Sequence, residues 1–99
     1  MLPIDVLPAA RQDFDHAFDW YLERNAVVAK QFYAAVDTAF QKISLLPEGY
    51  AAIDQQHRVY MVKGFPFRIV YRILPDAILV VAIAHMRREP TYWQHRPLH

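Results

Sequence analysis

Hydrophobic positions along this chain change their period once, at Gly49, and the change separates a helical stretch from a stranded one. Leu2 to Leu7 reads as a short opening strand with Ile4 and Val6 on one face. Pro8 suits the first turn of a helix, where a missing N–H costs nothing. Ala10, Phe14, Ala17, Phe18 and Tyr21 then recur at helical spacing, with Arg11, Asp13, Asp15, Asp19 and Glu23 mostly on the wet side. Asn25 can break this helix and cap the next one. A second stripe of Ala29, Phe32, Tyr33, Val36, Phe40 and Ile43 runs on until Pro47-Glu48-Gly49 stops it. So short a joint predicts an antiparallel helical hairpin.

Beyond Gly49 the period is two. Arg58 to Lys63 reads as a strand, and Gly64 with Pro66 marks a turn or bulge beside it. Phe67, Ile69, Tyr71 and Ile73 alternate with Arg68, Val70, Arg72 and Leu74. Pro75-Asp76 signals a tight turn, and Ile78 to His85 is an apolar strand covered on both faces. Strands joined so closely must be antiparallel. The predicted fold class is α+β, ordered β-α-α-β-β-β, with an N-terminal strand and a helical hairpin packed on one face of a small antiparallel sheet. The expected organisation is a single domain over 1–99, with a C-terminal tail at 86–99.

Composition narrows the function classes. With 99 residues and 55% hydrophobic content, the chain can bury a core without a staple. It has no cysteine, which excludes disulfides and thiolate metal sites. The four residues before Asp5 form neither a signal peptide nor an anchor, and the Ala77–Ala84 run is too short to span a bilayer. A cytoplasmic protein with no membrane role is expected. Residues 1–49 carry four Lys/Arg against seven Asp/Glu, a balance of −3, and residues 50–99 carry seven against three, a balance of +4. Either the basic half meets an anionic partner, or the two halves attract each other across the fold.

Candidate chemistry gathers in the tail, His85-Met86-Arg87-Arg88-Glu89-Pro90-Thr91-Tyr92-Trp93-Gln94-His95-Arg96. Arginine forks match phosphates and carboxylates bidentately, and Tyr and Trp supply rigid contact area with a polar edge. The alternative for Tyr92 and Trp93 is to fold back over the open end of the core. Arg68 and Arg72 share the sheet face opposite Phe67, Ile69 and Tyr71, where they form a basic patch or pair with Asp76 or Glu89. His85, at the junction of sheet and tail, is either a general base or a structural hydrogen-bonding residue. His95 and His99 stand four apart, but Pro97 opposes the helix that would make that spacing useful; no metal or cofactor is expected. There is no nucleophile elbow, no phosphate-cradling glycine loop and no Ser/His/Asp arrangement.

Asp19-Trp20-Tyr21, Ala39 to Pro47, Phe65-Pro66-Phe67-Arg68-Ile69-Val70-Tyr71 and the ending Ala82 to Trp93 together form a pattern. It resembles the RelE/ParE superfamily of bacterial type II toxins, also labelled plasmid stabilisation proteins, over nearly the whole chain. The resemblance implies a toxin neutralised by a cognate antitoxin whose C-terminal segment wraps the helices and the sheet. ParE-like members act on DNA gyrase and have no established catalytic residues; RelE-like members are metal-independent ribonucleases that cut mRNA on the ribosome. In the ribonuclease reading His85, Arg68, Arg87 and Tyr92 take the catalytic roles of base, cations and acid. In the gyrase reading Arg68, Arg72, Arg87, Arg88, Tyr92 and Trp93 contact the target, with no catalytic residue. A net charge of +1 with only three lysines is meagre for a ribosome-bound nuclease, and the tryptophan ending is similar to the ParE branch. The gyrase reading is therefore favoured; a degenerate, non-toxic antitoxin-binding protein is the third reading.

Overall fold

The structure, a computed structural model, describes residues 1–97. Its elements are β1 (Ile4–Val6), α1 (Pro8–Arg24), α2 (Ala26–Leu45), a 3-10 turn at Pro47–Gly49, β2 (Ala51–Ala52), β3 (Arg58–Met61), β4 (Phe67–Ile73) and β5 (Ile78–His85). Local chemistry sets most of these limits. Pro8 occupies the first turn of α1. The Asn25 side-chain oxygen accepts from the Val27 and Val28 amides at 3.0 and 3.3 Å, capping α2 while the backbone reverses. Gly64 sits at φ +85° between β3 and β4, a conformation that a side chain would strain.

The five strands form one sheet in the order β1-β5-β4-β3-β2. β3, β4 and β5 are antiparallel neighbours, as their short turns require. β1 departs from the expected antiparallel arrangement: it pairs parallel to β5, Ile4 with Ile78 through Val6 with Val80. The helical hairpin carries the chain from β1 at one edge of the sheet to β2 at the other, and β5, the last strand, then lies beside β1 and runs the same way. The two-residue β2, unmarked in the hydrophobic pattern, pairs with the start of β3. β5 carries a bulge: Val70 faces Ala82 and Tyr71 faces Val80, which leaves Val81 without an opposite number.

The hairpin covers one face of the sheet. Phe32 is fully buried, with the rings of Phe14, Tyr21, Phe65 and Phe67 at 5.1–5.4 Å around it. Tyr71 on the same face is also fully buried and donates to the Pro47 carbonyl at 2.5 Å, tying the sheet to the end of α2. The second helical stripe is narrower than its pattern suggested. Ala29, Phe32, Val36, Ala39 and Ile43 are buried, whereas Tyr33 is 59% exposed. No helix among the described residues is long and apolar enough to cross a membrane.

Candidate functional site

The tail leaves β5 at His85 and is fastened back onto the body at one carboxylate, that of Asp13 on α1. Asp13 and its neighbours His16, Ala17 and Trp20, at i+3, i+4 and i+7, form the flank of α1 that overlooks the end of the sheet. The Asp13 carboxylate accepts from the Ile83 amide at 3.0 Å, the Tyr92 hydroxyl at 3.1 Å and both terminal nitrogens of Arg96 at 2.7 and 2.8 Å. The side chains of Arg96 and Asp13 are only 15% and 8% exposed, so this bidentate pair works away from bulk solvent. Arg96 also donates to the Val81 carbonyl at 3.0 Å. Hydrogen bonding to Asp13 pushes the Arg96 guanidinium up from its ordinary value. Burial, then the Asp13 charge, pushes the Tyr92 phenol up to about 12. At neutral pH the phenol is therefore uncharged and the guanidinium charged, which suits the bonds that both donate.

Between this knot and α1 lies a cleft of about 530 Å³ lined by Asp13, His16, Trp20, Tyr21, Phe67, His85, Arg88 and Tyr92, among others. His85 and Phe67 face each other across β5 and β4, rings 5.0 Å apart, on the side of the sheet that the helices cover. The Arg87 amide donates to His85 Nδ1 at 3.0 Å, so the neutral ring carries its proton on Nε2. The Arg88 guanidinium lies on the Tyr92 ring, 3.9 Å from its centroid, and that of Arg96 at 4.8 Å.

The structure thus brings His85, Arg88 and Tyr92 to one cleft. Arg87 is exposed on the adjoining turn. Arg68 and Arg72 alternate onto the opposite face of β4, half-buried; among the described residues neither forms an ion pair with Asp76 or Glu89. Arg72 there lines a separate groove with Asp54, Gln56 and His57. The expected ribonuclease set is consequently split, since Arg68 stands across the sheet from His85. Trp93 corrects the expectation of target contact. It is 3% exposed, joins the hydrophobic core cluster and lies 4.6 Å from the His57 ring, so it plugs the core instead of facing outward. His99 lies outside the described residues, and with it the His95/His99 spacing.

Two residues central to this arrangement escaped the sequence reading. In the sequence Asp13 reads as one of several acidic residues on the wet side of α1, and Arg96 as one more arginine of the tail. A pairing over 83 positions has no local periodicity to announce it. The only sequence signal was the opposite charge of the two halves. Among the described residues, Asp13–Arg96 is the one ion pair of four that joins those halves, so attraction across the fold is real at this point.

No curated protein matches the chain by sequence. By structure it is similar to the chromosomal ParDE toxin–antitoxin system from P. aeruginosa, with a TM-score of 0.64 and 18% identity over 86% of this chain and 96% of that one. At that identity the likeness speaks for the fold. Residues 4–90, the whole of the sheet and the hairpin, match the family model for the ParE toxin of the type II toxin–antitoxin system parDE. A strand, a helical hairpin and a sheet in ParE-like order, matched over nearly their full length, make this chain a member of the ParE toxin family of type II toxin–antitoxin systems.

Proposed function

We propose that this toxin acts in the cytoplasm by binding DNA gyrase, that the Arg87–Arg88 turn and the adjoining cleft are the contact surface, and that a cognate antitoxin neutralises it. The observation that carries this reading is that the groups a ribonuclease would need are already engaged. A general base for a 2′-hydroxyl needs a free imidazole lone pair, but His85 Nδ1 accepts from the Arg87 amide and Nε2 bears the proton. The acid for a leaving oxygen needs a proton to give, but the Tyr92 hydroxyl donates to Asp13 and its ionisation lies near 12. Arg68, a proposed cation for the phosphorane charge, is across the sheet. By contrast, two exposed arginines on a turn held against a folded body suit docking on a protein or a protein–DNA complex. Tyr92 supports Arg88 in this surface, while Arg68 and Arg72 offer a second basic face.

The antitoxin has apolar surface to cover. Trp20, Val27 and Tyr33 are each more than half exposed on the hairpin. A second groove, of about 210 Å³, lies at Tyr33, between it, Phe14 and Phe40. An amphipathic segment laid there matches helix-in-groove recognition.

Inducing the protein in bacteria without antitoxin, with DNA and protein synthesis pulse-labelled separately, tests the target. The expected result is that DNA synthesis stops first, with a DNA-damage response. Arrest of protein synthesis within minutes would instead establish the ribonuclease reading, and arrest of neither would leave a degenerate antitoxin-binding protein.

A further inference from the structure

The bulge in β5 has a consequence at the sheet edge. In a regular strand, successive carbonyls point to opposite sides. Here Val80 and Val81, consecutive residues at the bulge, both turn their carbonyls away from β4. Val80 receives the Leu7 amide at 3.0 Å, where β1 ends. Val81 receives Arg96, and two residues on the Ile83 amide is taken by Asp13. Side chains from α1 and the tail therefore continue the edge pairing that β1 begins. They do so with a bidentate ion pair that also holds the Tyr92 hydroxyl.

We infer that Asp13 and Arg96 are positioning residues for the toxic surface, acting through Tyr92 to hold Arg88 in place. This rests on the reading of the Arg87–Arg88 turn as the working surface, whatever its target. The chain of contact is continuous. Both oxygens of Asp13 are held by Arg96, one of them also takes Tyr92, and the Tyr92 ring carries the Arg88 guanidinium at 3.9 Å. Trp93, the next residue, is anchored in the core, so the ring of Tyr92 has little freedom except through its hydroxyl. Loss of the Asp13 charge releases Arg96 and Tyr92 together, and Arg88 loses its platform.

The test is the amount of toxin needed for half-maximal growth arrest in cells without antitoxin, for wild type, Asp13→Asn, Tyr92→Phe, Arg88→Ala and the two double variants that include Arg88→Ala. Circular dichroism of each purified protein confirms folding. Tyr92→Phe removes only the phenol–carboxylate bond and carries the test if Asp13→Asn does not fold. Growth arrest is read because it does not depend on which target is right. The expected result is a loss of potency of about tenfold for Asp13→Asn or Tyr92→Phe, the size usual for coupled neighbours. Adding Arg88→Ala to either should cost little more, whereas a merely structural role gives losses that multiply. Arg96→Lys should recover only part of the potency lost in Arg96→Ala, because an ammonium cannot hold both oxygens in a fork. Full potency of folded Tyr92→Phe, or multiplying losses in the double variants, overturns the proposal. If Arg88→Ala itself is harmless, the surface reading falls and the positioning role falls with it. If the losses couple as expected but gyrase is unaffected, the positioning role stands and only the target is wrong.

Discussion

Phe32 holds the centre of the core, and its neighbours do not share its burial. The helical stripes name Phe14, Phe18, Phe32 and Phe40 alike, but only Phe32 is fully buried; the other three are half-buried. Phe32→Ala should therefore cost about 3–5 kcal/mol in denaturant unfolding, and truncation of the others should cost less. A stripe shows which way a residue faces, not how much covers it. For the same reason Tyr33 stands exposed although it fits the pattern. The tyrosines also set a pH limit. Burial pushes Tyr71 up to about 12, and burial with the Asp13 charge does the same for Tyr92. An unfolded tyrosine ionises near 10, so between about pH 10 and 12 the unfolded chain has released protons that the native state keeps, and stability falls as pH rises. The melting temperature should drop across that window. Tyr71→Phe, less stable at neutral pH for want of the Pro47 bond, should show a shallower drop.

At the scale of elements, the punctuation was legible and the long-range pairing was not. Pro8, Asn25, Pro47 and Gly64 lie where the structure begins, reverses or ends an element, because their chemistry is local. Asn25→Ala should lower stability by about 1 kcal/mol in thermal or denaturant unfolding, since it removes the acceptor for two orphan amides. An Asn25→Ser variant, which keeps an acceptor, should recover most of that loss. The parallel β1–β5 pairing, the two-residue β2 and the bulge at Val81 were hidden. Each depends on what lies beside a strand after folding, and a run of apolar residues such as Ile78–Ala84 reads the same with or without a bulge. Asp13 was hidden for a related reason. On α1 it is one acidic residue among several, and only the returning tail distinguishes it.

For the whole molecule, the family was legible before the fold was seen, because the phenylalanine-proline-phenylalanine strand opening and the histidine-to-tryptophan ending are specific over nearly the full chain. The surface proposed for the target was legible in part. Arg87 and Arg88 are exposed as expected, whereas Trp93 proves to be the anchor beneath them and Arg68 and Arg72 belong to another face. The fold thus divides the tail into residues that grip the body, Tyr92, Trp93 and Arg96, and residues that the grip displays. The most direct test of that division is supercoiling by purified gyrase, titrated with wild-type toxin and with the Arg87→Ala/Arg88→Ala double variant. The account predicts inhibition by the wild type, little or none by the double variant, and the same melting temperature and antitoxin affinity for both. Equal inhibition by the two proteins, or none by the wild type at concentrations that saturate the antitoxin, would contradict it.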